Sequence, residues 1–317
     1  MSPADSDAHK GRRHLFRWIV PCLFGAGGVL AAWFLWHIDW PHTIAAWHRL
    51  DTGTIALALA LTGVSYCGLA AYDVIAVSTL RPLQIARAAA AVTGATAFGI
   101  SNFLGFPLVT GTAVRVRMYG VARNDLGPLL SVVGSGWVAF WLVSIALCGA
   151  ILAVRPDALL WADAATAVRL GGIILVLAVA AFLAWLGDGR SATVWQTRLD
   201  FISRRLTALQ MLAAVVDIVA SGLVLYLFLP PDLAGDLAGF MAIYVLAVGL
   251  GVLSHSPGGL GSFEATIMVG LGGLGRADLA TGLLLYRLFR TVLPFGLAVV
   301  VLAVAGRSGG RLSAVQP

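Results

Sequence analysis

A few ionisable residues stand in a chain that is otherwise apolar. Glu264 is the only glutamate among 317 residues. It closes the stretch Ser254-His255-Ser256-Pro257-Gly258-Gly259-Leu260-Gly261-Ser262-Phe263-Glu264, set between apolar runs at 239–253 and 265–274. An ionised acid at the centre of a bilayer costs roughly 2.5–3.5 kcal/mol on insertion scales, so it needs a partner or a purpose. Arg287 and Arg290 lie three apart, on one face of a helix, and Arg287 is the natural partner. Such a pair either serves packing or forms a headgroup or proton site. Asp217 falls in the middle of an apolar run, too deep to reach an interface, where it serves a polar cavity or an interhelical hydrogen bond. Asp73 lies nearer the end of its run and can pair with Arg115 or Arg81.

A second polar interruption reads Ser101-Asn102-Phe103-Leu104-Gly105-Phe106-Pro107-Leu108-Val109-Thr110-Gly111-Thr112, with Arg115 and Arg117 after it. Either these arginines set topology at the interface or their planar forks hold a lipid phosphate. Backbone amides at a half-helix start after Gly111 would add to such an anion site. His255, between Ser254 and Ser256, either titrates or hydrogen-bonds its loop. No Ser-His-Asp or paired-carboxylate arrangement for hydrolysis stands out, so an enzyme is not expected. Lys10 is the only lysine, which excludes a Walker-type phosphate loop and ATP-driven transport within the chain. The three cysteines, Cys22, Cys67 and Cys148, all in apolar runs, form neither a disulfide framework nor a metal spacing. No cofactor or metal is expected.

Hydrophobic residues make up 59% of the chain, charged residues 11%, and the mean hydropathy is +0.90. Soluble domains average about 25% charged residues, so the composition describes a polytopic helical membrane protein. The formal charge of +6 is spread between apolar runs, a topology signal rather than a nucleic-acid surface. Runs of roughly 20 residues, enough to span, occupy 18–38, 54–77, 128–154, 168–186, 207–229 and 279–304. The first reads as a retained span rather than a cleaved signal, since no small-residue cleavage site follows it. Segments 88–126 and 237–275 each carry an apolar arm, a glycine- and proline-rich polar middle, and a second arm. Broken backbone at membrane depth is tolerated only where protein or a water-filled cavity satisfies it.

These patterns predict an all-α fold of six full spans plus two oppositely oriented re-entrant helical hairpins. The rival is a nine-span arrangement in which the hairpin arms cross fully. With both termini cytoplasmic, inside segments hold 15 Lys and Arg and outside segments four, with Arg287 and Arg290 left within the last span. Residues 1–17 form a basic cytoplasmic arm, 18–305 one transmembrane domain, and 306–317 a cytoplasmic tail. Span, span, hairpin, span occurs twice, over about 18–154 and 168–304, with an offset of about 150 residues. The two halves start on opposite sides, and inverted repeats of discontinuous helices are a transporter signature.

The motif Ser254-His255-x-Pro257-Gly258-Gly259-Leu260-Gly261-x-Phe263-Glu264 resembles the signature of the lysylphosphatidylglycerol synthase/flippase transmembrane region. That region is the membrane flippase domain of the bacterial multiple peptide resistance factor, and it also occurs in stand-alone members. Tyr72-Asp73, then Asn102-Phe103-x-Gly105-Phe106 with Gly111, Arg115 and Tyr119, and Tyr286-Arg287 with Pro294-Phe295 are similar to further parts of it. The resemblance covers about residues 15–305. It implies a bacterial cytoplasmic (inner) membrane protein that moves a phospholipid, such as aminoacylated phosphatidylglycerol, between leaflets.

The family's separate aminoacyltransferase domain has no counterpart here, so aminoacyl transfer is not expected. The first break has Pro107-Leu108-Val109-Thr110 where the family is richer in glycine, so the headgroup preference does not carry over. Expected substrate-binding residues are Glu264, Arg115, Arg117, Asp217, Arg287, Asp73, Ser254, His255, Asn102 and Tyr286. Arg115 and Arg117 would take a phosphate, and Glu264 with Asp217 a cationic amine. Expected partners are a membrane phospholipid, a separately encoded lipid-modifying synthase or glycosyltransferase, and a second copy in a homodimer; nucleic acid is not among them. Two alternatives remain open at this point: an ion-coupled small-solute secondary transporter, and a non-transporting membrane partner of a lipid-modifying enzyme.

Overall fold

Where an apolar run lacks a glycine–proline interruption, backbone hydrogen bonds can close only within the run, and it becomes one long helix. A computed structural model describes residues 50–78, 85–120, 127–156, 165–187, 191–194, 197–200, 203–254 and 256–307, together with Pro41 and Ile44. The basic arm, the expected span at 18–38, His255 and the tail from 308 onward lie outside the described residues. Among those described, five helices are long and apolar enough to cross a membrane. They are α1 (Thr52–Val77), α4 (Gly127–Val154), α5 (Ala165–Leu186), α6 (Arg204–Tyr226) and the run Ala277–Ala305. The last is built from α9 (Ala277–Arg287), a π-helical segment (Leu288–Val292) and α10 (Leu293–Arg307). Each coincides with one of the expected spans. A hairpin of β1 (Ser191–Val194) and β2 (Thr197–Asp200), Ser191 opposite Asp200, links α5 to α6; the sequence reading did not include it.

The two interrupted segments become pairs of shorter helices. The first is α2 (Arg87–Leu104) followed by α3 (Pro107–Tyr119). Between them Gly105 has φ 78° and Phe106 φ 50°, both left-handed, and Pro107 opens α3 where its missing N–H costs no helix bond. The second is α7 (Leu237–Leu253) followed by α8 (Ser262–Gly270), joined through Gly258, Gly259 and Gly261, all at positive φ. Aspartates start two of the helices: Asp51 accepts from the Gly53 and Thr54 amides, and Asp236 from those of Ala238 and Gly239.

Small residues let the helices close on one another. A methyl group at Gly68 of α1 would sit 2.7 Å from the Ala213 carbonyl oxygen and 3.1 Å from the Asp217 amide of α6. On the other side, a methyl group at Gly99 of α2 would lie 3.0 Å from Pro294 O of α10. The core that these contacts bound includes Tyr72, Ile218, Leu225, Tyr244, Phe263, Ile267 and Phe289. Helix α5 packs on α4 where Gly149 and Gly172 face each other, and leaves Leu170, Ile174 and Leu177 exposed. Most importantly, the two helix breaks touch. A methyl group at Gly258 would meet the Asn102 carbonyl oxygen at 3.1 Å and that of Phe103 at 3.3 Å.

Two outcomes are expected from this packing. Gly68→Val forces α1 off α6 and costs about 1–3 kcal/mol, read as a lower Tm in detergent; an unchanged Tm contradicts the close crossing. In the exposed loop before α9, Arg276 bonds both Asp232 and Asp278. Its hydrogen bond to Asp232 holds that carboxyl below the usual 3.8. A carboxyl lowered in the folded state contributes stability above its unfolded pKa and loses it as pH falls. Tm should therefore drop slightly as pH goes below 3.8, and the drop should shrink in Arg276→Gln; equal slopes in the two proteins contradict the pairing.

Candidate functional site

Three arginines project into the centre, and each has a carboxylate. Desolvated charges are tolerated in a low-dielectric interior only when they are paired and hydrogen-bonded. Arg115 on α3 grips Asp73 of α1 with a two-pronged fork, Nε to Oδ1 at 2.7 Å and Nη2 to Oδ2 at 2.5 Å. Tyr119 adds its hydroxyl to Oδ1 at 2.8 Å, and Asp73 is fully buried. Arg287 on α9 holds Glu264 of α8, Nε to Oε1 at 2.7 Å, and also donates from Nη1 to the carbonyl of Gly258. Glu264 accepts in turn from the Gly261 amide at 2.8 Å, so one ion pair ties α9 to the start of α8 and to the break before it. Arg287 Nη2 stands 2.6 Å from Oε1 but at an angle that makes no hydrogen bond.

The third pair is Arg290 and Asp217, Nη2 to Oδ1 at 2.8 Å, with Ser65 of α1 donating to the same oxygen at 2.5 Å. Arg290 sits in the π-helical segment. Residue 294, whose N–H would bond the Arg290 carbonyl in an α-helix, is a proline, and Tyr66 donates its hydroxyl to that carbonyl at 3.4 Å. π-segments of this kind cluster at functional positions because they re-aim side chains. Each arginine also lies over an aromatic ring, Arg115 over Phe98 at 5.2 Å, Arg287 over Phe263 at 5.4 Å and Arg290 over Tyr66 at 4.9 Å. Such a face-on ring stabilises a cation that has given up its water.

These groups surround one cavity of about 340 Å³. Its wall takes residues from α1, α2, α3, α4, α6, α7, α8 and α9, from the π-helical segment and from both helix breaks; α5 contributes none. Tyr286, Tyr244 and Ser221 form a hydroxyl chain on that wall, with Tyr244 2.8 Å from each of the other two, and Ser221 donates in turn to the Asp217 backbone carbonyl. Among the described residues, the charged groups on the wall are Arg115, Arg287, Arg290 and Asp217. Asp73 and Glu264 do not line it; they neutralise their arginines from outside the space. The wall therefore presents three cations and one anion, which suits a ligand that brings negative charge.

The structure thus gathers Arg115, Asp217, Arg287, Asn102 and Tyr286 around one space, with Asp73 and Glu264 one step behind. Arg117 is exposed on the outer face of α3 and does not reach the cavity. Ser254 is exposed as well and bonds the Gly251 carbonyl, Ser256 and Ser262. His255 lies outside the described residues. Arg290 is a wall residue that the sequence pointed to only through its spacing from Arg287. Ser65, Tyr66 and Tyr244 carried no signal beyond being polar within apolar runs.

No family model matches the chain. It is 27% identical over 240 residues to an uncharacterized protein of Synechocystis sp., covering 74% of this chain and 73% of that one. It is 26% identical over 203 residues to the inner membrane protein YbhN of Escherichia coli, covering 61% and 62% of the two chains. Over 274 residues it is 22% identical to the phosphatidylglycerol lysyltransferase of Bacillus subtilis; 82% of this chain is matched, and it spans 31% of that protein's length. These distant similarities and the five apolar helices support a helical membrane protein with likeness to inner-membrane and lipid-modifying proteins.

Proposed function

We propose that the chain carries the headgroup of a phospholipid between the leaflets of a bacterial inner membrane. The single observation behind this reading is the cavity wall: three arginines against one aspartate, set where two helix breaks meet. In the proposed arrangement six full spans, the first at 18–38, enclose two re-entrant hairpins, α2–α3 and α7–α8, related by an inverted repeat. The phosphate would lie against the arginines while the acyl tails remain in the bilayer. Leu69, Val133, Trp137 and Phe140 share the wall with the charges and offer apolar contact beside a phosphate. Phe106 and Leu108 at the first break are 37% and 46% exposed and border the same space. That combination suits an amphipathic ligand better than a small solute.

Carboxylates placed behind Arg115 and Arg287 keep both guanidiniums buried without presenting a competing anion to the ligand. Exposed Arg117 would meet headgroups at the cytoplasmic surface, where each basic residue adds about 1 kcal/mol of attraction to anionic lipid. A potential of 100 mV, inside negative, favours outward passage of one negative charge by about 2.3 kcal/mol. Movement of an anionic headgroup toward the outer leaflet then needs no nucleotide site.

The test is leaflet exchange of fluorescent phosphatidylglycerol and phosphatidylcholine in proteoliposomes. Wild type should exchange phosphatidylglycerol faster. Val248→Trp, which fills the cavity from α7 without touching an ion pair, should slow that exchange by about tenfold, a barrier of about 1.4 kcal/mol. Exchange no faster than in protein-free vesicles, or an unaffected Val248→Trp variant, would exclude the cavity as the route.

A further inference from the structure

The three arginine–carboxylate pairs are not anchored equally. Arg115 spends two N–H groups on two carboxylate oxygens, and Arg287 spends two on Glu264 and the Gly258 carbonyl. Arg290 gives Asp217 a single N–H, from Nη2. Its Nε has no partner although the side chain is only 9% exposed. Both donors to Asp217 bond Oδ1, leaving Oδ2 with none among the described residues. Asp217 is also the one carboxylate among the described residues that lies on the cavity wall. Arg287 too gives its carboxylate a single N–H, but it is anchored again at the Gly258 carbonyl; the Arg290–Asp217 pair lacks such a second anchor and is the one whose acid and base both face the ligand space.

We infer that the Arg290–Asp217 pair is the exchange point of the cavity: an anionic headgroup takes Arg290 away from Asp217, and Asp217 takes up one proton from the buffered solvent. This rests on the reading that the cavity receives such a headgroup. The phosphate gains the free Nε–H and an Nη–H of Arg290 in the side-by-side geometry that guanidinium and phosphate favour. The carboxylate left behind is buried without its cation, and a buried unpaired carboxylate neutralises rather than stays charged. The proton goes to Oδ2, while Ser65 keeps its bond to Oδ1.

Around the pair, α1 contributes Ser65, Tyr66 and Tyr72. Helix α6 adds Ser221 and α7 adds Tyr244. Tyr286 and Arg287 of α9 and Asn102 in the last turn of α2 complete the surroundings on the wall. None of these is a second carboxylate, so proton uptake falls on Asp217 alone. Proton uptake by Asp217 keeps the loaded site at the charge of the empty one, so a negative headgroup enters without adding net charge to the buried pair.

The full chain is reconstituted in phosphatidylcholine vesicles, phosphatidylglycerol is added at constant pH, and the protonated-carboxyl band is followed by infrared difference spectroscopy while lipid binding is followed in parallel. Wild type should gain the band on binding, and Asp217→Asn should bind without it. In Arg290→Gln, Asp217 has lost its cation in advance, so the band should be present before any phosphatidylglycerol is added. Binding by wild type without the band, or Arg290→Gln lacking it, overturns the exchange while leaving the headgroup reading intact. Failure of wild type to bind phosphatidylglycerol overturns that reading, and the exchange with it.

Discussion

Burying a guanidinium in an apolar interior is the constraint on which the rest of this structure depends. Taking such a cation out of water costs several kcal/mol, and removing its partner once it is buried costs about 3–5 kcal/mol. The chain meets this constraint three times around one space, and each time it draws acid and base from different helices. Asp73 on α1 meets Arg115 on α3, Glu264 on α8 meets Arg287 on α9, and Asp217 on α6 meets Arg290 in the π segment. Ion pairs that bridge helices fix the relative placement of those helices more narrowly than apolar packing does. They also explain why short helices such as α3 and α8 hold their positions.

The helix breaks follow from the same constraint. An unbroken helix satisfies its own backbone and offers a ligand only side chains. A broken one frees carbonyls and amides, and here those groups are used at once. The Gly258 carbonyl takes Arg287, the Gly261 amide takes Glu264, and the Asn102 and Phe103 carbonyls lie against Gly258. Glycine at position 258 is needed twice over, for its positive φ of 59° and for the absence of a Cβ between the two breaks. The glycine-rich stretch is therefore the mechanical join between the halves of the chain as well as a place where the helix stops.

Much of this was legible in the sequence. Apolar run length marked five helices, and glycine with proline marked both breaks. The isolation of Glu264 in an apolar setting singled out its pairing with Arg287. Asp73 had two candidate arginines; Arg81 lies outside the described residues, and the packing of α3 on α2 and α4 brings Arg115 to Asp73. What the sequence hid is orientation. Nothing in residue types shows that Glu264 and Asp73 stand behind their arginines while Asp217 faces inward, and that difference sets the charge a ligand meets. The sequence reading gave the amine of a ligand to Glu264 and Asp217 together; only Asp217 lies on the wall. Sequence proximity groups Arg115 and Arg117 as one phosphate site, yet residues two apart do not share a helix face, and Arg117 is exposed. The π segment was equally hidden, since Pro294 signals a disturbed helix without saying whether it kinks or widens.

The central claim is that the space between the two breaks receives a negatively charged lipid headgroup. An experimental structure of the chain in nanodiscs containing phosphatidylglycerol tests it most directly. The account predicts phosphate density within hydrogen-bonding distance of the guanidiniums lining the cavity, with acyl chains leaving past Phe106 and Leu108. A cavity that holds only ordered water in that membrane, with every lipid headgroup at the surface, would contradict it.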